Sequence, residues 1–253
     1  MKVTFLGTGT SQGVPIIACK CEVCESADPH DKRLRSSVLV EVDGTTILVD
    51  AGPDFRQQML RERVTDLDAI LLTHEHKDHV AGLDDVRAFN YILGRPMDIY
   101  AQQRVLNHLK VEFSYVFSDN PYPGVPQMRL HPLDGDAFFV KNVGVAPIKV
   151  QHYRLPILGF RIGDFTYITD ANAIDSREKE KLLGTKVLVL NALRREAHIS
   201  HFTLSEALAL AAEIKPQVTY LTHISHQMGR YQEVIKELPK NVFLAYDGLK
   251  VDI

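Results

Sequence analysis

The chain alternates between short apolar runs and longer segments in which apolar and polar residues are mixed. The short runs are rich in β-branched residues and are bounded by turn residues, a pattern typical of buried strands. Strands are predicted at residues 36–42, 45–50, 68–73, 165–169, 186–191 and 217–222. Asp43-Gly44 joins the first two runs and favours a hairpin, because both central residues of a type I′ turn need a positive φ angle.

In the longer segments the apolar residues recur with helical spacing. Helices are predicted at about 54–63, 79–93, 103–117, 175–183, 203–214 and 229–238. Thr203 and Glu206 have the spacing of a capping box, and Pro216 ends the helix that they start. The pattern predicts sheets with helices on their outer faces. The proline-containing stretch 119–126 is expected to be the most mobile loop.

Composition limits the class of protein. A chain of 253 residues with 45% hydrophobic residues can bury a large core, and we expect a single domain spanning 1–253. The 29 basic and 32 acidic residues give a net charge of −3, so stable nucleic-acid binding is not expected and a small-molecule substrate is favoured. No segment has the composition of a signal peptide or a membrane span, and we expect a cytoplasmic protein. A homodimer is left open.

The densest polar cluster directly follows the apolar run 69–72. His74, His76, Asp78 and His79 emerge there from one predicted strand end, where a turn can aim alternate side chains into one hollow. Imidazole nitrogens and a carboxylate suit zinc or another first-row divalent ion. The cluster predicts a metal site, with a solvated polar loop as the alternative.

The three cysteines of the chain form a second cluster: Cys19, Cys21 and Cys24. An odd, clustered set cannot form a closed disulfide framework, and metal ligation explains it better. A closed tetrahedral zinc site needs a fourth ligand. His226 is the candidate, because it follows His223 by three residues and one loop could then serve two metal sites. Three reduced, unliganded cysteines are the alternative.

The HxHxDH pattern at 74–79, together with Asp50-Ala51-Gly52 after an earlier strand, resembles the metallo-β-lactamase superfamily. The resemblance runs over nearly the whole chain and implies an α/β fold, a four-layer αββα sandwich. It also implies further ligands at later strand ends, a His, an Asp and a His in that order. Three residues fit this order: His152, Asp170 and His223.

This resemblance implies two divalent ions, zinc or manganese, which share a hydroxide that attacks the substrate. One ion would be held by His74, His76 and His152, and the other by Asp78, His79 and His223. Asp170 would bridge the two ions, and Asp50 would hydrogen-bond a ligand or the surrounding loops. Taken singly, His152 and His223 are equally well explained as buried, hydrogen-bonded histidines.

Further features are similar to PhnP-type cyclic-phosphate phosphodiesterases and to the related ribonuclease Z. They are the glycine-containing start at 5–11, the cysteine cluster, which implies one structural zinc, and Ser200-His201-Phe202-Thr203. The last element implies that His201 is the general acid, a role that contributes on the order of 10²–10⁴ in rate. Asp78 is the second residue assigned to catalysis, and His198 is the competitor for the role of His201.

The chain departs from ribonuclease Z in two places. It has no long, Gly-rich, basic arm, and it carries Asn191-Ala192-Leu193 where that family has the Glu that orients the catalytic histidine. Transfer-RNA processing is therefore not expected, and what orients His201 stays open.

These features favour a metal-dependent phosphodiesterase that hydrolyses a small, cyclic phosphodiester, with Arg33, Arg35 and Arg194 as candidate phosphate contacts. One alternative is a hydrolase of thioesters, lactones or β-lactams on the same scaffold. Others are an oxidative relative involved in pyrroloquinoline quinone assembly and a non-catalytic metal-binding module.

Overall fold

The computed structural model describes all residues 1–253 and contains fifteen strands and seven α-helices. The strands are β1 (Lys2–Gly7), β2 (Ser37–Val42), β3 (Thr45–Val49), β4 (Ala69–Leu71), β5 (Met97–Gln102), β6 (Met128–Leu133), β7 (Phe138–Val140), β8 (Val143–His152), β9 (Leu155–Ile162), β10 (Phe165–Ile168), β11 (Ala173–Ile174), β12 (Val187–Asn191), β13 (Val218–Thr222), β14 (Val242–Leu244) and β15 (Lys250–Asp252). The helices are α1 (Phe55–Glu62), α2 (Lys77–Val80), α3 (Arg87–Leu93), α4 (Gln103–Glu112), α5 (Ser176–Glu180), α6 (Leu204–Ile214) and α7 (Tyr231–Val234).

The strands form two sheets. The first has the order β15-β1-β2-β3-β4-β5-β6, and the second has the order β11-β8-β9-β10-β12-β13-β14, with β7 paired to β8. In each sheet antiparallel hairpins lead into parallel strands, β3 to β6 in the first and β10, β12, β13 and β14 in the second. Parallel strands point their carboxyl ends to the same edge, which is where loops can gather ligand-binding side chains.

The predicted hairpin is confirmed. Val42 pairs with Thr45 across β2 and β3, and Asp43 and Gly44 have φ angles of 48° and 72°. Both central residues therefore take the left-handed conformation that a type I′ turn requires.

Apolar residues form the layers between and outside the sheets. The inner faces of the two sheets pack through a core that includes Phe5, Phe160 and Tyr167. The outer face of the first sheet is covered by α1, α3 and α4, and that of the second mainly by α6. This is the predicted four-layer αββα arrangement, with burial of apolar surface in three successive interfaces as its main stabilising contribution.

The predicted helix at 79–93 is interrupted. It divides into α2, a 3₁₀ turn at Leu83–Val86, and α3. The cause is the close approach of Gly82 to the turn at Ala51 and Gly52: its amide donates to the Ala51 carbonyl at 2.9 Å, and a Cβ at this position would lie 2.1 Å from the Gly52 oxygen. The interruption thus packs the HxHxDH segment against the turn that carries Asp50.

Other predicted boundaries also move. The predicted helix at 229–238 is reduced to the single turn α7, and the helix predicted at 103–117 ends at Glu112. Thr203 and Glu206 do form the predicted capping box at the start of α6. Residues 119–126 lie outside helices and strands. None of the helices combines the length and apolar character needed to cross a bilayer.

Candidate metal centre and active site

Strand ends from both sheets converge on one site. Asp50 follows β3, His74 follows β4, His152 ends β8, Asp170 follows β10 and His223 follows β13. Asp50, Asp170 and His223 have φ angles of 62°, 60° and 55°, a left-handed conformation that is uncommon for residues other than glycine. Backbone strain of this kind is typical of functional sites, because the surrounding structure must hold it in place.

The structure brings the seven predicted ligands into two adjacent groups. The donor atoms within each group all lie within 4.8 Å of one another. The groups are His74, His76 and His152, and Asp78, His79, Asp170 and His223. The division matches the one implied by the superfamily resemblance.

Asp170 lies between the groups. Its Oδ2 is 3.3 Å from Nε2 of His79, and its Oδ1 is 3.2 Å from Nε2 of His223. A carboxylate oxygen of Asp170 also lies within 4.8 Å of a ring nitrogen of His152, which belongs to the other group. Asp170 would therefore be a ligand shared between the two groups.

Hydrogen bonds orient three of the imidazoles. Nδ1 of His79 donates to Asp50 at 2.7 Å, Nδ1 of His74 donates to the Thr73 hydroxyl at 2.9 Å, and Nδ1 of His152 donates to the Asp170 carbonyl at 2.7 Å. With the proton on Nδ1, the Nε2 lone pair of each ring is free for a metal ion. Asp50 is fully buried and also accepts from the amide of Thr73 at 2.8 Å, so it joins the HxHxDH segment to β3, as expected for its predicted supporting role.

The donor set fits divalent metal ions. Nε2 of His79 is buried without a hydrogen-bond partner. Buried polar atoms without partners are rare, and a cation facing this nitrogen would satisfy its lone pair. Imidazole and carboxylate ligands together are typical of zinc, manganese or iron sites.

Charge in the centre is concentrated on His79 and its neighbours. Burial by itself would lower the pKa of His79, but Asp78, Asp170 and Asp50 outweigh it and hold the pKa well above its usual value. Burial would raise the pKa of Asp170, but His223 and His79 hold it well below its usual range. The Asp170 carboxylate therefore stays ionised, as a metal ligand must be.

His201 lies at the side of this centre. It is 8% exposed, and its donor atoms fall in one group with those of His152 and Asp170. Its Nδ1 stands 3.8 Å from Asp170 Oδ1, too far for a hydrogen bond. Burial lowers the pKa of His201 to about 3, so the imidazole is neutral at pH 7 in the metal-free centre. The competitor His198 has its ring centre 5.0 Å from that of His201 and belongs to none of the ligand groups.

Asn191, at the end of β12, acts on the segment that carries His201. Its side chain accepts from the amide of Ala171 at 2.8 Å and donates to the Ala171 carbonyl at 2.9 Å. The same carbonyl accepts from the amide of Phe202 at 2.7 Å. Asn191 thereby connects the backbone beside Asp170 to the backbone beside His201, in a different way from a side chain that contacts the histidine directly.

The candidate phosphate-binding arginines are engaged elsewhere. Arg33 is buried and donates to Thr8 and to the Ala245 carbonyl, Arg35 pairs with Asp54, and Arg194 donates to Gln227. None of these pairs includes a residue of the two ligand groups.

Two arginines nearer the centre were missed by sequence reasoning. Arg104 pairs with Glu75, inside the HxHxDH segment, and donates to the Pro156 carbonyl of β9 at 2.8 Å. Arg154 lies two residues after His152. The only sequence signal for Arg154 is its position two residues after the predicted ligand His152. Arg104 is not close in sequence to any predicted ligand, so no signal pointed to it.

The three cysteines and His226 form the second predicted site. Nδ1 of His226 lies 3.4 Å from the sulfur of Cys19, 3.2 Å from that of Cys21 and 3.7 Å from that of Cys24. Burial raises the pKa of Cys24 to about 11. For Cys21, hydrogen bonds from the Cys24 amide and His226 outweigh burial and lower the pKa to about 6. Three sulfurs and one imidazole nitrogen are a donor set that suits tetrahedral zinc.

This cysteine site is joined to the metal centre through Ile224. The amide of Ile224 donates to Thr8 at 2.9 Å, and its carbonyl accepts from Thr10 at 3.1 Å. Ile224 lies between His223 and His226, so the segment that leads to the cysteines is tied directly to the segment that carries both histidines.

The fold and the site together define a class of protein. A family model described as the beta-lactamase superfamily domain matches residues 45–224. This range contains all seven candidate ligands of the metal centre as well as Asp50 and His201. The chain therefore belongs to the metallo-β-lactamase superfamily, and its fold and donor set are those of a metal-dependent hydrolase.

Within this superfamily, the chain is similar over its whole length to a solved structure described as a new diphosphatase from the PhnP family. The two are 41% identical with a TM-score of 0.93, over 100% of this chain and 97% of that one. Similarity of this extent places the chain in the PhnP family.

Two other relatives differ in what their names describe. An octanoyltransferase from Porphyromonas gingivalis is 43% identical over 100% of this chain, but the chain spans only 52% of that protein's length. Zinc-bound PqqB from Methylobacterium extorquens is 23% identical with a TM-score of 0.81 over the full length of both chains, which shows a shared fold.

Proposed function

We propose that this protein is a binuclear metal-dependent hydrolase of small phosphodiesters, including cyclic ones, with His201 as general acid. The observation that carries the proposal is the position of His201 beside Asp170 and His152. A histidine there is not needed to complete either ligand group. It is well placed for proton transfer to a group leaving a substrate bound at the centre.

Divalent ions bound by the two groups would supply a nucleophile from water at neutral pH and neutralise charge on the phosphate oxygens. The residues of the chain hold these ions and orient the histidine rings. Asp50, Thr73 and the carbonyl of Asp170 present the three Nε2 atoms inward, and Asp170 faces both groups. An anionic substrate beside His201 favours the charged imidazole, because an opposite charge raises the pKa of a histidine.

The diphosphatase described among the PhnP relatives suggests a second phosphorus substrate of the same kind. A diphosphate linkage places a phosphorus between two oxygens, as a phosphodiester does, and its leaving phosphate needs less protonation than an alkoxide. The dependence on His201 therefore separates the two substrate classes.

The test compares leaving groups. His201→Ala should lower turnover of a 2′,3′-cyclic nucleotide by roughly 10²-fold or more, because the leaving alkoxide needs a proton. It should largely spare bis(p-nitrophenyl) phosphate, whose phenolate leaves unaided. His198→Ala is the matched control and should leave both rates within a few fold. Equal losses on both substrates in His201→Ala would remove the general-acid assignment.

A second candidate function is hydrolysis of an acyl thioester or ester, and the octanoyltransferase relative is the observation that favours it. Carbonyl hydrolysis with a good thiolate leaving group has no need of a proton from His201. An octanoyl thioester assayed beside the phosphodiesters decides between them: kcat/KM for the thioester above that for every phosphorus substrate would replace the phosphodiesterase proposal.

A further inference from the structure

A cavity of about 460 Å³ opens directly beside the metal centre. It lies between the turn that joins β8 to β9 and the loop that precedes His201. Two proposed metal ligands line it, together with an exposed aromatic residue, an arginine and an exposed isoleucine. The lining residues are His76, His152, Tyr153, Arg154, Leu155, Ile199 and Ser200. A substrate whose phosphorus lies at the metal centre has this space for the rest of the molecule.

We propose that this cavity is a subsite for a planar aromatic group of the substrate, a nucleobase, with Tyr153 as its stacking platform. The proposal rests on the proposed phosphodiesterase function and narrows its substrate to base-bearing phosphates. The sequence did not identify Tyr153 as a functional residue. It belongs to neither ligand group, and the proposed role of His201 does not depend on it.

The side chains that line the cavity suit a flat ring. Tyr153 is 47% exposed and Ile199 is 64% exposed, so two large residues that line the cavity keep much of their surface open to a ligand. The Arg154 guanidinium carbon lies over one face of the Tyr153 ring, 5.1 Å from its centre, so a base would stack on the opposite face. Such a base would extend a stack that already contains a cation and an aromatic ring.

The backbone holds Tyr153 in place. Its φ angle is 56°, a left-handed conformation that is uncommon for a bulky aromatic residue. The Tyr153 amide donates to Oδ1 of Asn172 at 2.8 Å, and Nδ2 of the same Asn172 donates to the Ile199 carbonyl at 3.2 Å. One side chain thus joins the two walls of the cavity and sets the distance between them. A binding platform needs this kind of support, because ordering a free loop would cost binding energy.

The same lining disfavours an acyl chain. A flexible octanoyl group is held best where apolar walls enclose it, because its binding comes from removing apolar surface from water. Here the lining is mostly apolar, but the cavity is open to solvent and does not enclose a chain, and Arg154, Ser200 and the two histidines add polar groups to it. A nucleobase combines apolar faces with a polar edge and matches this mixture.

The test uses two substrates with the same reactive group. One is adenosine 2′,3′-cyclic phosphate, and the other is methyl ribofuranoside 2,3-cyclic phosphate, which lacks the base. Tyr153→Asn removes the ring while keeping a residue that tolerates the left-handed backbone. We expect it to raise KM for the adenosine substrate roughly tenfold with kcat nearly unchanged, and to leave the methyl riboside unaffected. Tyr153→Phe should restore the low KM, since the ring and not the hydroxyl stacks.

A binding measurement separates this proposal from the proposed function. In equilibrium dialysis, AMP should bind the metal-loaded protein more tightly than ribose 5-phosphate does, and Tyr153→Asn should remove that preference. This result is expected even if no phosphodiester is hydrolysed, in which case the proposed function fails and the subsite stands. Tyr91→Asn, at a more exposed tyrosine on α3 that does not line the cavity, is the control and should bind both ligands as the wild type does.

Two results would overturn the subsite. One is an equal rise in KM for both cyclic phosphates in Tyr153→Asn, which would mean that the residue supports the loop and does not contact the base. The other is an unchanged preference for AMP over ribose 5-phosphate in that variant.

Discussion

The cysteine site and the histidine-aspartate centre are built in opposite ways. Three of the four donors in the cysteine site come from positions 19–24 and lie in a loop, with Cys19, Cys21 and His226 partly exposed. The histidine-aspartate centre takes its donors from the ends of several strands in both sheets, and His74, His79, Asp170 and His223 are buried. The first site depends on one loop closing on one histidine, whereas the second depends on the correct packing of the whole sandwich.

This difference teaches what each site contributes. A loop that has few apolar contacts of its own would gain stability from a metal bound by its four donors, as small zinc-stabilised domains do. The strand-end centre is already positioned by the core, so ions bound there would be available for chemistry. His223 and His226 are only three residues apart, so loss of structure at the cysteine site would also disturb the position of His223 in the histidine-aspartate centre.

The largest effect is expected at the residue shared between the two ligand groups. Asp170→Asn keeps the size of the side chain and tolerates the left-handed backbone, but removes the charge. We expect a loss of more than about 100-fold in kcat/KM, because even residues that only support metal ligands contribute 10- to 100-fold. Elemental analysis should show fewer metals in the centre and an intact cysteine-bound zinc. Asp164→Asn, on the surface, is the control.

Loss of zinc from the cysteine site in Asp170→Asn would contradict the view that the two sites bind metal independently. That outcome would mean that the two sites fold as one unit and that the loop site has no metal affinity of its own.

A smaller effect on activity and a larger one on stability are expected at the cysteine site. Cys21→Ser should remove one zinc per chain and lower Tm by about 5–10 °C, since a change of ~2–3 kcal/mol has this effect in a chain of this size. Activity should fall by less than about tenfold, through looser positioning of His223. Lys20→Ala, at an exposed neighbour, should change neither Tm nor metal content. Unchanged metal content and Tm in Cys21→Ser would show that the cysteines are unliganded.

The smallest effect is expected at Asn191, which touches no predicted ligand side chain. Asn191→Ala removes two buried hydrogen bonds to Ala171 and should cost ~2 kcal/mol of stability. We expect turnover of a cyclic nucleotide to fall about tenfold while bis(p-nitrophenyl) phosphate and metal content change little. Asn142→Ala, at an exposed asparagine in the turn between β7 and β8 that accepts one hydrogen bond from Thr45, is the control. Equal loss on both substrates would assign Asn191 a purely structural role.

Much of the centre could be predicted before the structure, but for different reasons at different residues. The HxHxDH segment is recognisable because four donors lie within six positions after a buried strand. His152, Asp170 and His223 were identifiable only through the order of ligands that the superfamily resemblance supplies, since each stands alone in its own strand. Arg104, Asn172 and Asn191 carried no local signal, because their roles come from contacts with segments distant in the chain.

The fold shows the same division. Strands with strongly apolar, β-branched runs, such as β2 and β12, were predicted to within one or two residues. Strands with mixed burial, such as β6 and β9, were not, because their pattern depends on which neighbour covers each face. The break in the helix predicted at 79–93 comes from contact with the turn at Ala51 and Gly52, which lies in a different part of the chain.

The amino-acid sequence by itself identified the clustered candidate metal ligands of this protein, since the type and spacing of these donors are local properties. It also determined the sandwich of sheets and helices, because periodicity records which faces are buried. Only the tertiary structure decided that Asp170 faces both ligand groups, that His201 lies beside them, and that Tyr153 and Ile199 line one cavity. These are distances between strand ends and loops far apart in the chain, and they exist only once both sheets have packed on their common core.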